Sequence, residues 1–202
     1  DSGHGRKNDP TDAHAVAVVG LRTKGLREVV ADDQTVALRL LSERRRDLVR
    51  SRTQAVNRLH QVLMELLPAG AQRHLTAAKA KDLVATVRPR DIAGKARRQL
   101  AVDLIDDVAV FDRKIKTVDA RIEEAVAASG THLTDIVGVG PVTAATILGE
   151  VGDVARFATA DNFASYTGTA PIEASSGEVV RHRLSRAGNR RLNSALHVVA
   201  LS

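Results

Sequence analysis

Apolar residues recur along most of this chain at helical spacing. The cleanest rhythm runs through residues 91–128, where Leu104, Val108, Phe111, Ile115, Val118, Ile122 and Ala125 alternate steps of four and three. Such a repeat keeps one narrow seam on one side of a helix, facing a partner helix. A second long helix is predicted from about Asp32 to Leu67. Leu41, Leu48, Val56, Leu59, Leu63 and Leu66 form its broad apolar stripe, and Arg39, Arg44, Arg45, Arg46, Arg50, Arg52 and Arg58 crowd the remaining surface. Pro68-Ala69-Gly70 ends it, and a shorter helix near Ala77 to Val87 follows, broken by Arg88-Pro89. Two long helices joined by a turn can pair with each other or with a second copy of the chain. The seam predicts a coiled coil without fixing its number of strands.

The flanks read differently. From Pro10 to about Leu21 the pattern is again helical, with Asp9 as N-cap, Pro10 at the first helical position and Asp12 at N3, where a carboxylate reaches back to the cap. The period of the GLREVVA stretch does not separate strand from loop. Gly130 closes the seam helix, and the remainder is richer in Gly, Thr and Ser. Three segments are expected: 1–31, 32–129 and 130–202. Asp1 is not an initiator methionine, and LNSALHVVALS keeps helical rhythm to the last residue without a capping Gly or Pro, so the chain reads as a piece of a longer protein.

Composition narrows the class. A 44% hydrophobic content with only 2% aromatic residues, and a mean hydropathy of -0.13, point to helices packed through aliphatic side chains and away from an all-β domain. The absence of cysteine excludes disulfides and Cys-ligated zinc and fits a reducing compartment. No apolar run approaches the ~20 residues of a membrane span, and the N-terminus lacks a signal pattern. A soluble, cytoplasmic protein is expected. The net charge of +6 and pI near 10.1 fit a polyanionic partner, although basic solvated faces are common.

Two stretches carry candidate chemistry. In LTDIVGVGPVTAATILGEVGD, Ile136, Gly138, Val139 and Gly140 followed by Pro141 and an apolar-small run match a helix-hairpin-helix. Its glycines would let Gly138 and Gly140 approach a phosphate while the amides opening the next helix point at the oxygen. The plainer alternative is a Gly turn between two packed helices. In FASYTGTAPIEASSGEVVRHRLSRAGNRRLNSALH, Arg181, Arg183, Arg186, Arg190 and Arg191 have no acidic residue among them, a plausible patch for DNA phosphates. Ser175-Ser176-Gly177 just upstream offers hydroxyls near guanidinium groups, a workable arrangement for phosphodiester attack, although such a turn is usually only a turn. Tyr166, the sole tyrosine, reads as part of one apolar helical face closed by Gly168. The seven histidines form no HxxxH or HxH pair.

Taken in order, a K-N-D-x-x-D-A helix start, a long coiled coil, an I-x-G-x-G hairpin, F-A-x-Y-x-G-x-x-P, S-S-G and an S-R-A-G-N-R-x-L box resemble the IS-one-ten type of bacterial insertion-sequence transposase. These are DEDD enzymes with a ribonuclease-H-like (RuvC-like) N-terminal domain and a C-terminal transposase domain. The resemblance covers almost the whole chain and is most specific in its final third. It implies a mainly α chain: a remnant of the RuvC-like domain, a long helical coiled coil, then a C-terminal transposase domain containing the helix-hairpin-helix.

It also implies residue roles. Asp9 and Asp12 match the D-x-x-D that supplies the last two of four magnesium-holding carboxylates. Three residues apart on a helix, they share one face, as joint ligation of a hard cation by carboxylate oxygens needs. The segments bearing the other two are absent here. Aligning Phe163, Gly168, Pro171 and Gly177 puts Ser176 at the family's nucleophilic serine, with Ser175 one residue away. Arg186 stands where the family box commonly has Lys, and His182 or Arg183 where it frequently has Gly. The resemblance further implies homo-oligomers through the coiled coil, composite sites between protomers and, in some members, a guide RNA, with which the basic helix around Arg44–Arg58 is compatible. The competing readings are a non-catalytic, sequence-independent DNA-binding and dimerisation module, and an inactive remnant.

Overall fold

A computed structural model describes residues 9–25, 32–67, 76–175 and 179–202, leaving aside the side chains of Asp9 and Thr11. The described residues are mainly helical, with seven α-helices and a single two-stranded sheet. Two compact units are distinguished, Asp1–Ala31 and Asp32–Ser202.

The first unit holds α1 (Asp9–Arg22). This helix begins one residue before the capping pattern would have it, with Pro10 inside its first turn, where a missing N–H costs nothing. Val16, Val19 and Leu21 on it are exposed.

The second unit is built on two long helices, α2 (Asp33–Leu66) and α4 (Ile92–Ala128), each started by a carboxylate. Asp32 accepts from the Gln34 and Thr35 amides at 3.4 and 3.1 Å and from the Thr35 hydroxyl at 3.0 Å. These bonds, the hydroxyl's foremost, hold its carboxyl below the ordinary range. Asp91 does the same for α4, accepting from the Gly94 amide at 2.7 Å. Between them lies α3 (Ala77–Thr86), capped by Thr76.

Ion pairs Arg45–Asp119, Arg52–Asp112 and Glu65–Arg97 show that α2 and α4 run antiparallel, because the α4 numbers fall as the α2 numbers rise. The seam of α4 therefore meets its partner helix within the same chain. Leu104, Val108, Val118 and Ile122 are buried there and Phe111, Ile115 and Ala125 partly so. On α2 the buried positions are Leu38, Leu48, Ala55, Leu59, Val62 and Leu63. At roughly 1.5–3 kcal/mol per fully buried aliphatic side chain, this pairing is the main source of stability in the unit.

The core has two parts along the hairpin. One joins α3 to α2 and α4 through Ala80 and Val84, and the other is centred on Leu38, Val118, Ile122, Ala144 and Ala145. Phe111 packs against both. The second core is closed by α5 (Pro141–Val151), which lies on α2 and α4. A Cβ at Gly149 would stand 2.8 Å from Arg39 Cα, so glycine lets the α5 backbone touch that of α2. Beyond α5 come α6 (Ala160–Thr167), the antiparallel pair β1 (Ile172–Glu173) and β2 (His182–Arg183), and α7 (Arg190–Ala200), which packs on α5 and α6. Among the described residues, no helix is long and apolar enough to cross a membrane.

Candidate nucleic-acid interface

The two motifs of the final third fold against each other. Helix α6 ends at Gly168, whose φ of +73° is left-handed, and Gly188 of the S-R-A-G-N-R box lies on it. A Cβ at Gly188 would fall 2.3 Å from Gly168 N and 2.5 Å from Gly168 Cα, a contact of backbone on backbone. Asn189 N donates to Tyr166 O at 2.7 Å across the same contact, and the Asn189 side chain then accepts from the Arg191 and Leu192 amides to cap α7.

A polar network fixes this arrangement on the helical hairpin. Glu150, at the end of α5, accepts from Asn189 Nδ2 at 2.7 Å and from Arg191 Nη1 at 3.0 Å, and the same Arg191 nitrogen donates to Glu43 of α2 at 2.6 Å. Tyr166 OH donates to Glu150 O and accepts from Asn189 Nδ2, both at 3.2 Å. Burial pushes the Glu150 carboxyl up, but the bonds from Asn189 and Arg191 and the charges of Arg191 and Arg46 outweigh it and hold the group below its ordinary value. Arg191 is correspondingly raised, chiefly by its bond to Glu150. Tyr166 thus has a structural place, between Phe157 at 5.2 Å and the Arg156 guanidinium 4.4 Å above its ring.

This network sorts the five arginines of the patch. Arg191 is held by two carboxylates and its charge is already balanced. Arg181, Arg183, Arg186 and Arg190 are exposed, and among the described residues their guanidinium groups make no hydrogen bond or ion pair. Arg181 and Arg183 stand on the β hairpin, where Ile172 pairs with Arg183 and Ala174 N donates to Arg181 O at 2.8 Å. Ser175, at the end of its first arm, accepts from Arg181 N at 3.3 Å. Ser176 lies outside the described residues.

Arg186 and Arg190 line a cavity of about 540 Å³ between the Gly168–Gly188 contact and α7. Ser185, Asn193, Ser194 and His197 also face it, and among the described residues no carboxylate does. The α7 residues follow a helical face: Arg190, Asn193, Ser194 and His197 stand at i, i+3, i+4 and i+7, while Leu192 is fully buried on the other side and Val199 packs against the second core. That spacing is visible in the sequence, but the four residues differ in type, and only the cavity shows them as a set. Glu150 and Glu43 gave no sequence signal for their part in the network.

The glycine hairpin is divided. Gly138, at φ +84°, is covered: a Cβ there would meet Ser202 Cβ at 2.6 Å and Val199 O at 3.3 Å, so this glycine accommodates the end of α7. Gly140 is exposed, with open space where a Cβ would lie, and it precedes α5 without any side-chain cap. The segment before the hairpin is one 3-10 turn, Leu133–Asp135.

On α1, Asp12 is exposed and its carboxylate makes no hydrogen bond or ion pair among the described residues, while the Asp9 side chain lies outside them. No group of three or more potential metal ligands gathers among the described residues. On α2, Arg45 and Arg52 of the basic helix are spent on Asp119 and Asp112.

Comparison with known proteins matches both ends of the chain. A model described as the transposase IS116/IS110/IS902 family matches residues 130–202, and a second transposase model matches residues 1–68. The y4pF/y4sB protein of Sinorhizobium fredii, which carries a transposase name, is 31% identical over 97% of this chain and 51% of its own length. The insertion element IS110 protein of Streptomyces coelicolor is 28% identical over 97% of the chain and 60% of its own, and the IS116 protein of Streptomyces clavuligerus 26% over 98% and 62%. The chain therefore spans between about half and about 62% of the length of these relatives.

Proposed function

The chain belongs to the IS116/IS110/IS902 family of insertion-sequence transposases, and from that premise we propose that it forms the scaffold and the DNA-gripping part of a transposase or site-specific recombinase. The observation that carries this reading is the sorting of the arginines: one locks the fold, and four project with unbalanced charge beside a serine-bearing hairpin. Arg181, Arg183, Arg186 and Arg190 take DNA phosphates, with exposed Gly140 and the uncapped start of α5 as a further backbone contact.

In the reaction we assign, Ser176 Oγ attacks the phosphorus of a DNA phosphodiester. A new O–P bond forms as one bridging P–O bond breaks, the departing oxygen takes up a proton, and the serine proton goes to solvent. Ester is exchanged for ester, so the bond is conserved for rejoining. The free guanidinium groups oppose the charge that develops on the non-bridging oxygens. Asp9 and Asp12 belong to a RuvC-like remnant in residues 1–31, and the unpaired Asp12 carboxylate fits a hard cation. Magnesium held there with the remaining ligands of a complete protein would supply positive charge to the reacting phosphate.

Residues 32–129 serve as scaffold and 130–202 as the helix-hairpin-helix-containing transposase domain. A cytoplasmic location and assembly into oligomers complete the reading, the oligomer contact falling on outer faces of the hairpin because the seam is occupied. A guide RNA would find Arg44, Arg50 and Arg58 of α2 without a partner among the described residues. The test is strand exchange by a complete protein containing this chain: Ser176→Ala abolishes it while Ser175→Ala retains it. Full activity of Ser176→Ala rejects the nucleophile.

A further inference from the structure

The cavity beside α7 is larger than a phosphate contact needs and is lined for more than charge. Around its volume of about 540 Å³ stand two guanidinium groups, an amide, a hydroxyl and an imidazole, from Arg186, Arg190, Asn193, Ser194 and His197. Among the described residues, none of these five side chains makes a hydrogen bond or ion pair. The neighbouring Asn189, Arg191 and Tyr166, by contrast, are paired through Glu150. Five polar groups unpaired among the described residues and converging on one concavity, with no described carboxylate in its lining, describe a site for an anion that also carries hydrogen-bonding edges.

Rigid neighbours hold the lining. The Gly168–Gly188 backbone contact forms one wall, and Asn189 caps the helix that presents the others. A paired duplex offers a protein its phosphates, but its bases stay stacked inside and do not enter a cavity. A single nucleotide turned out of the stack does, and pockets of this size accept one.

We propose that this cavity holds one unpaired DNA nucleotide, its phosphate on Arg186 and Arg190 and its base against Asn193, Ser194 and His197. The Asn193 amide offers both a donor and an acceptor to a base edge, and the His197 ring offers a face for stacking. This inference rests on the reading of DNA as substrate. It adds that the chain grips DNA where a nucleotide has left the helix, as at a nicked or exchanging strand.

The experiment compares binding of the 202-residue chain to two labelled DNA duplexes that differ by one central unpaired nucleotide. The expected result is roughly tenfold tighter binding to the duplex with the unpaired nucleotide. Asn193→Ala with His197→Ala removes that preference and keeps the parent's affinity for the fully paired duplex. Should the double variant fail to fold, His197→Gln alone is expected to reduce the preference by several-fold. Equal binding of both duplexes by the parent, or a preference that survives in the variants, overturns the nucleotide site and leaves DNA binding standing. Binding to neither duplex overturns the DNA reading itself. A preference seen only when both strands are RNA overturns the assignment to DNA.

Discussion

Gly188 has no room for a methyl group. With its Cβ 2.3 Å from Gly168 N, Gly188→Ala must push two backbone segments apart, and it is expected to cost about 1–3 kcal/mol. The chain has one tyrosine and no tryptophan, so fluorescence on urea unfolding reports from Tyr166, inside the affected network. Glu150 acts at the same scale through charge. Its side chain is only 13% exposed and accepts from two residues of the box, so Glu150→Gln is expected to lose about 1–3 kcal/mol at neutral pH. The pH dependence has a definite sign. Because the folded carboxyl sits below its ordinary value of 4.5, its contribution is present above that pH and is lost as pH falls through the folded value. Parent and Glu150→Gln should therefore converge in stability as the medium is acidified below about 4.5, measured by urea unfolding at each pH. The sequence marked Gly188 and Arg191 as members of one box without separating their work. The partner that makes Arg191 structural, Glu43, lies 148 residues away, beyond any local pattern.

Among the elements, the α2–α4 hairpin carries the load. Ile122 is fully buried in the seam, and Ile122→Ala should cost about 2–5 kcal/mol, the range set by how far the hole can collapse. Leu40, on the same helix α2 but 57% exposed, should change stability by no more than about 0.5 kcal/mol on substitution by Ala. Thermal unfolding of the two variants separates seam from surface. The heptad spacing made the seam legible, since a period of alternating four and three faces only one way. It left open what the seam faces, because an intramolecular and an intermolecular partner present the same pattern. The glycine hairpin was legible as a turn for a similar reason. Which of its glycines stays open depended on where α7 comes to rest, and α7 rests on Gly138.

For the whole molecule the excess of positive charge becomes informative once the paired arginines are set aside. Affinity for duplex DNA is expected to fall steeply with salt, and removing Arg181, Arg183, Arg186 or Arg190 should each reduce the slope of log K against log salt by about 0.9. Arg191→Ala should instead lower stability with the slope unchanged, because its charge is bound to Glu43 and Glu150. Titrations at several salt concentrations check both outcomes. By itself the sequence determined the long helices, the glycine turns and the order of motifs, since apolar period and glycine turns act over a few residues. The tertiary structure alone decided which helix fills the seam, which arginine is locked, and that Arg190, Asn193, Ser194 and His197 share a cavity with Arg186. Those outcomes depend on which groups distant in the chain come within hydrogen-bonding or van der Waals reach, and only the packed molecule brings them there.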